Sequence, residues 1–263
     1  MKKNKLSKYM EYAKSLIRKA MHEKKYRANG VNVKYILEQE ENSKALVVVF
    51  SACTRPGIPA RYNYMRTLEG VKCNKLFVLD DLAQDKRGSY YLGSYPDYDF
   101  EKATKKLIDS IIEKNKIEKC YFCGSSKGGW AALNFGVMYN SSIGDGIIIG
   151  APQYHLGNYL NAPANHVTLE SIAGDNPIEK VIYDLNGHLK ENIIKNSQNK
   201  LQPVYLHYSE KEHTYQEHIK DMISLLEDQG YSMHCDVLDY EDHWDVSIHY
   251  PEFLLKSLSS YEF

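Results

Sequence analysis

Apolar residues occur along this chain in short unbroken runs, and between the runs apolar positions recur at helical spacing. A bounded apolar run of about four to eight residues is typical of a strand buried on both faces of a parallel sheet. Apolar positions three and four residues apart, as in residues 100–115, instead indicate an amphipathic helix. The pattern predicts strands at 31–39, 45–50, 76–79, 120–123, 146–150, 204–208 and 233–238, and helices at 100–115, 129–136, 215–229 and 246–258.

The alternation of these strands and helices predicts an α/β fold with a mostly parallel, twisted sheet and helices on both faces. A chain of 263 residues is long enough for one such domain with a full core. The formal net charge is −1, so we expect no nucleic-acid partner. Because there is no run of about 18 apolar residues and no apolar signal sequence at the N-terminus, we expect a cytoplasmic protein.

Residues 1–27 are predicted to form a basic amphipathic helix that precedes the domain at 28–263. They contain ten lysines and arginines against Glu11 and Glu23, with apolar residues at helical spacing. Such a helix can bind peripherally to an anionic membrane or contact a protein partner. The alternative, equally compatible with the pattern, is a helix docked on the domain with its basic face in solvent.

The strongest local motif is Gly124-Ser125-Ser126-Lys127-Gly128, a G-x-S-x-G sequence between a predicted strand and a predicted helix. This strand–turn–helix context is that of a nucleophile elbow, which exposes a serine hydroxyl at a sharp turn. Backbone N–H groups at the start of the following helix lack intrahelical partners and can stabilise an oxyanion. The alternative is a Gly/Ser turn that only connects the strand to the helix.

Candidate partners for this serine follow two later strands. Glu212 follows the strand at 204–208, and His243 follows the strand at 233–238. The order Ser126, Glu212, His243 matches the nucleophile, acid and base order of α/β-hydrolases. Glu210 is the alternative acid, but Glu212 lies where this fold usually turns its acid towards the histidine.

His249 and His234 rank behind His243 as the base. His249 falls within the last predicted helix, and His234 lies on a strand, where a structural role is more typical.

We expect neither a metal nor a cofactor. Cys120 and Cys123 form a C-x-x-C pair, but residues three apart on a strand point to opposite faces. Asp80 and Asp81 end a strand without a further carboxylate or histidine at ligand spacing, so we interpret them as caps of the following loop.

Taken together, these motifs resemble those of α/β-hydrolase-fold serine enzymes. More narrowly, the chain resembles bacterial proteins linked to capsular polysaccharide biosynthesis and the glycan O-acetyltransferases of accessory secretion systems. The resemblance covers most of the chain after the first helix and is carried by residues 51–66, 86–91, 124–129, 208–212 and 242–243. It implies that Ser126, Glu212 and His243 are the catalytic residues and that the segment at about 154–200 is a small cap over the site.

In this fold the loop after an early strand supplies a second oxyanion N–H, beside that of Lys127. Ala52 is the candidate here, with Ser51 and Cys53 one position away on either side.

The same loop carries Arg55, Arg61 and Arg66. We expect at least one of them to line the site and bind an anionic or hydroxyl-rich substrate, because a guanidinium forms paired hydrogen bonds. A structural salt bridge is the alternative.

These features predict a serine esterase or O-acyltransferase that works through an acyl-enzyme, with an acylated glycan or polysaccharide as substrate. Deacylation by water would make it an esterase, and deacylation by a sugar hydroxyl an O-acetyltransferase; the sequence does not separate the two. The alternatives are a non-catalytic scaffold of a glycan biosynthesis or secretion assembly, and a serine peptidase.

Overall fold

The computed structural model describes residues 21–139, 142–197, 202–259 and 261. The strands are β1 (Lys24–Ala28), β2 (Val31–Glu38), β3 (Ala45–Phe50), β4 (Asn74–Leu79), β5 (Lys119–Ser125), β6 (Gly144–Gly150), β7 (Val204–Tyr208) and β8 (Met233–Val237). The helices are α1 (Asp99–Asn115), α2 (Lys127–Val137), α3 (Leu156–Leu160), α4 (His166–Ala173), α5 (Ile178–Asn196), α6 (Lys220–Asp228) and α7 (Val246–Ser259). A π-helical turn, Tyr215–Ile219, leads directly into α6.

All eight strands form one sheet in the order β1-β2-β4-β3-β5-β6-β7-β8. The pairs β1–β2 and β2–β4 are antiparallel, and the remaining five pairs are parallel. The prediction of a mostly parallel sheet is therefore confirmed. Its consequence for function is that β3 to β8 all end at the same edge, so the loops after them meet there.

The continuous apolar runs form the centre of this sheet, and helices cover both of its faces. Every residue of β3 and of β4 is buried. Gly136 of α2 packs against Phe122 of β5, whereas Tyr261, which follows α7, packs on Tyr121 with ring centroids 4.5 Å apart and the rings tilted. Because adjacent strand residues point to opposite faces, α2 and the C-terminal segment lie on opposite sides of the sheet.

The N-terminal region differs from its prediction. Residues 1–20 of the predicted basic helix lie outside the described residues, but 24–28 form β1 and not the end of a helix. β1 pairs with β2 across Asn29 and Gly30, which have φ angles of 48° and 80°. An Asn-Gly pair with positive φ at both positions favours a two-residue hairpin turn. The hairpin therefore takes up residues that apolar spacing assigns to the end of a helix.

The segment at 154–200, predicted to be a small cap, contains the three helices α3, α4 and α5. In α5 the buried side chains recur every four residues, at Val181, Leu185, Leu189 and Ile193. α3 packs closely on α5, because a Cβ atom on Gly157 would lie 2.1 Å from the carbonyl oxygen of Ile182. No helix in the described ranges is both long enough and apolar enough to cross a bilayer.

Candidate active site

β5 ends in a sharp turn that carries Ser126. This residue has φ 52° and ψ −123°, a conformation that residues with a side chain rarely adopt, and its N–H donates to the carbonyl of Gly150. Two glycines permit the turn. A Cβ atom on Gly124 would lie 2.4 Å from the Gly128 oxygen, and one on Gly128 would lie 2.4 Å from the Phe50 oxygen. Only glycine fits at these two positions, so the elbow presents Ser126 at the edge of the sheet.

Ser126, His243 and Glu212 form a continuous chain of hydrogen bonds. His243 Nε2 lies 2.9 Å from Ser126 Oγ, and His243 Nδ1 lies 2.9 Å from Glu212 Oε1. The three residues come from the loops after β5, β8 and β7, which converge because those strands are parallel. His243 begins a 3-10 turn that Asp242 caps by accepting the N–H of Trp244 at 3.0 Å. The sequence-predicted nucleophile, base and acid are thus within hydrogen-bond distance of one another.

Glu212 is the acid that reaches the histidine, and Glu210 is exposed to solvent. The Glu212 side chain is 1% exposed, and its second oxygen accepts a hydrogen bond from the Thr214 hydroxyl. Burial alone would raise the pKa of Glu212, but the hydrogen bond and charge of His243, with the Thr214 hydroxyl, lower it overall. Glu212 is therefore a carboxylate at neutral pH.

The two lower-ranked histidines lie elsewhere. His249 stacks on Tyr240 with ring centroids 5.4 Å apart and lies near His207. His234 stacks on Tyr205 at 4.7 Å. Neither has a hydrogen bond to the elbow among the described residues.

Lys127, the residue after the nucleophile, directs its side chain into the protein. Its Nζ donates to the carbonyl oxygens of Arg87 at 2.7 Å and Asp80 at 3.0 Å, and it pairs with the Asp80 carboxylate at 3.3 Å, both side chains being buried. Asp80 also accepts the N–H groups of Ser89 and Tyr91, so it caps the following loop. The N–H of Lys127 begins α2 and has no intrahelical acceptor. The buried ion pair therefore holds the residue whose N–H is the predicted oxyanion donor.

The second predicted oxyanion donor is already occupied. The N–H of Ala52 donates to Asn63 Oδ1 at 2.9 Å, and the N–H of Ser51 donates to the Tyr91 hydroxyl at 2.5 Å. The N–H of Cys53 has no acceptor among the described residues. The structure thus contradicts Ala52 as a free donor, because the side chain of Asn63 folds back onto it, and leaves Cys53 available instead.

The structure places the three predicted arginines at the surface, and their role in substrate binding stays a prediction. None of Arg55, Arg61 and Arg66 is among the described residues that line the cavity at Ser126, and all three are exposed. The Arg55 guanidinium lies 5.0 Å from the centroid of the Trp244 ring, which itself lines the cavity. Arg61 and Arg66 have partners of their own.

The arginine that lines the cavity is Arg87, from the loop after β4. Its side chain is nearly buried, and Nε donates to the Thr54 carbonyl at 2.8 Å while Nη2 donates to Cys53 Sγ at 3.1 Å. Asp85 lies 3.7 Å from Nη1. Arg87 therefore braces the loop that carries Cys53, and long-range folding of the loop after β4 brings it there.

A cavity of about 900 Å³ lies at Ser126 and His243. Its volume is within the range of small-molecule sites. The cap segment contributes Asn158, Tyr159 and Asn165 to the lining, among other residues. The described residues contain no group of three or more histidine, cysteine, aspartate or glutamate side chains able to hold a metal ion.

No pattern in the sequence predicted Gln153 as a site residue. This residue lies in the loop after β6 and is fully buried, with Nε2 3.2 Å from Ser126 Oγ and 3.3 Å from His243 Nε2. Its position shortly after a strand of the parallel sheet was the available signal, because the other predicted site residues share it.

His218 was also missed, since it lies in the π-helical turn that begins at Tyr215. It lines the cavity, and its Nδ1 accepts the N–H of His155 at 3.2 Å. The pKa of His218 is lowered to about 4, chiefly by burial and secondly by the charge of the nearby His155. The ring is therefore neutral at physiological pH. Nothing in the sequence around it pointed to the site.

No family model matches the sequence, and no curated protein matches it either. Solved structures do match. A capsule O-acetyltransferase of Neisseria meningitidis serogroup A, a mutant in complex with CoA, superposes with a TM-score of 0.74 at 21% identity, covering 90% of this chain and 94% of that one. The same enzyme without the mutation gives a TM-score of 0.73 at 22% identity, with 89% and 94% covered.

Two further neighbours are more distant. A glycosylation-associated protein complex from Streptococcus agalactiae gives a TM-score of 0.68 at 16% identity, covering 90% of this chain and 46% of that chain. A fluorophosphonate-binding serine hydrolase of Staphylococcus aureus gives 0.61 at 14% identity, with 89% and 96% covered. At these identities the likeness concerns the fold, and together with the strand order it shows that this chain has the α/β-hydrolase fold.

Proposed function

We propose that this chain is a serine-dependent esterase or O-acyltransferase in which Ser126, His243 and Glu212 act as a catalytic triad. The observation that carries the proposal is the chain of two 2.9 Å hydrogen bonds from Ser126 Oγ to the buried Glu212 carboxylate. A nucleophile on a strained elbow, a base and a buried acid in this order are the components needed for acyl transfer.

In the proposed reaction, Ser126 Oγ attacks the acyl carbon of an ester while His243 Nε2 takes the hydroxyl proton. The Glu212 carboxylate stabilises the resulting imidazolium, which is why its lowered pKa supports the assignment. The N–H groups of Lys127 and Cys53 bind the oxyanion. The imidazolium then gives its proton to the leaving group, and an acyl-enzyme on Ser126 remains.

We propose an acylated glycan or polysaccharide as substrate or product. The cavity is large enough for a sugar and an acyl group, and Asn158, Asn165 and Tyr159 offer it neutral polar groups. Two of the structural neighbours are described as a capsule O-acetyltransferase and a glycosylation-associated complex, which supports the same substrate class. The acyl group leaves the enzyme either to water or to a sugar hydroxyl.

Ser126→Ala tests this function, with Ser224→Ala as the matched control because Ser224 is exposed on α6 and outside the cavity lining. We expect a fluorophosphonate probe to label the wild type and Ser224→Ala but not Ser126→Ala. Turnover of 4-nitrophenyl acetate should fall by about 10⁴-fold or more in Ser126→Ala alone. Equal labelling of a folded Ser126→Ala protein would refute the proposed nucleophile.

A further inference from the structure

Gln153 is a buried side chain between the proposed nucleophile and base that the mechanism above does not use. Its Nε2 lies 3.2 Å from Ser126 Oγ and 3.3 Å from His243 Nε2, and none of the residue is exposed. Because the Gln153 amide is buried beside His243 Nε2, it limits which molecules can approach that atom.

The orientation of the amide is set by its other contacts. The Tyr90 hydroxyl donates to Gln153 Oε1 at 3.2 Å, and burial raises the pKa of Tyr90, so this hydroxyl keeps its proton. The carbonyl of Ala151 accepts from Gln153 Nε2 at 3.4 Å. These two contacts place Gln153 Nε2 towards His243 and Ser126, while Ser126 Oγ also lies 3.5 Å from Gln153 Oε1.

The neutral His243 ring can accept only one hydrogen bond, at Nε2. His243 Nδ1 donates its proton to Glu212, so in the neutral ring Nε2 is an acceptor with a single lone pair. In the free enzyme both the Ser126 hydroxyl and the Gln153 amide lie within reach of that lone pair. In an acyl-enzyme Ser126 Oγ has no proton, which leaves the Gln153 N–H as the donor in place.

Gln153 also fills the buried flank of the base. Tyr90, which holds it, is itself buried against Trp130 and Tyr159, with ring centroids 6.0 Å apart in both pairs. A water molecule is small enough to occupy this flank if the side chain were removed, whereas a sugar is not. An acceptor of that size reaches the base only from the cavity.

We infer that Gln153 slows hydrolysis of the acyl-enzyme by keeping water out of the buried flank of His243, so that the acyl group is retained for an acceptor bound in the cavity; the inference rests on the proposed function. In the transfer step the acceptor O–H gives its proton to His243 Nε2, and its oxygen bonds to the acyl carbon. The bond from that carbon to Ser126 Oγ then breaks, and Oγ takes the proton from the imidazolium. Water would follow the same sequence and release the free acid.

The lifetime of the acetyl-enzyme, measured without an acceptor, tests this inference. The wild type, Gln153→Ala and Gln153→Met are acetylated with 4-nitrophenyl acetate, and the adduct is followed by intact mass after rapid removal of the reagent. Methionine keeps the length of the side chain but has no N–H. We expect lifetimes shortened by about tenfold in Gln153→Ala and by about threefold in Gln153→Met, the second being the value of roughly one neutral hydrogen bond.

A shorter lifetime is a gain of rate, which loss of structure does not produce, and thermal unfolding of each variant confirms that it is folded. Lifetimes equal to or longer than that of the wild type in both variants would overturn the inference and leave the proposed function standing. No acetyl adduct on Ser126 of the wild type would overturn the proposed function and the inference with it.

Discussion

The pair of substitutions Glu212→Gln and Glu210→Gln separates the buried acid from its exposed neighbour. Both replace a carboxylate by an amide of nearly the same size, so packing is preserved. Only Glu212 contacts His243, at 2.9 Å, and only its side chain is buried. We therefore expect a large loss of activity in Glu212→Gln and activity within about twofold of the wild type in Glu210→Gln.

The size of the loss follows from the charge that the carboxylate neutralises. Attack by Ser126 converts His243 to an imidazolium, and two unit charges about 4 Å apart interact by about 4 kcal/mol at an effective dielectric constant near 20. Since about 1.36 kcal/mol corresponds to a factor of ten, this term alone is worth roughly 10³ in rate. An amide at position 212 can also donate to Nδ1, which favours the wrong tautomer, so the expected loss is about 10³- to 10⁴-fold.

The assay is kcat/KM for 4-nitrophenyl acetate, with thermal unfolding of each variant as a control for the fold. Glu212→Gln should remain more active than Ser126→Ala, because the acid acts through the histidine and the serine forms the bond. An active Glu212→Gln beside a crippled Glu210→Gln would refute the assignment of the acid. Equal activity in both variants would refute the electrostatic reasoning itself.

Two further predictions concern stability. Lys127→Met leaves the buried Asp80 carboxylate without its cation and should lower the free energy of unfolding, measured in urea, by about 3–5 kcal/mol. The control Lys105→Met breaks an exposed pair and should cost less than about 1 kcal/mol. Similar losses in the two variants would contradict the role of the buried pair. The pKa of His218 is lowered to about 4 in the folded protein, so the unfolded state binds the proton first and stability should fall as pH drops from about 6.5 to 4. In His218→Gln the loss of unfolding free energy between about pH 6.5 and pH 4, measured by urea unfolding, should be smaller by about 3 kcal/mol. The same pH dependence in this variant and the wild type would contradict the lowered pKa of His218.

Features that depend on local physical chemistry could be predicted from the residues alone. Continuous apolar runs form buried strands because a parallel sheet has no polar face, and the structure has a strand at each predicted position. The elbow was also readable, since the turn at Ser126 needs glycine on either side, and two glycines flank the motif. The order of Ser126, Glu212 and His243 could be proposed because each follows a strand, and parallel strands end at one edge.

Which groups at that edge are free to act depends on contacts between segments that are distant in the chain. Ala52 is a reasonable oxyanion donor in the sequence, but the Asn63 side chain, eleven residues later, occupies its N–H. Arg55 follows the right strand, yet it lies over the Trp244 ring and does not line the cavity itself, whereas Arg87 from another loop does. A loop's side chains are directed by contacts with distant segments, and neither periodicity nor spacing along the chain encodes those contacts.

The placement of Gln153 shows the same limit at the reacting atoms. The sequence gives an ordinary amide after a strand, with no motif around it. Its significance arises because Tyr90, 63 residues earlier, holds one side of the amide, while His243, 90 residues later, lies against the other. Strand ends and turns follow from local residue preferences, whereas hydrogen-bond partners at a site depend on how the complete chain packs around it.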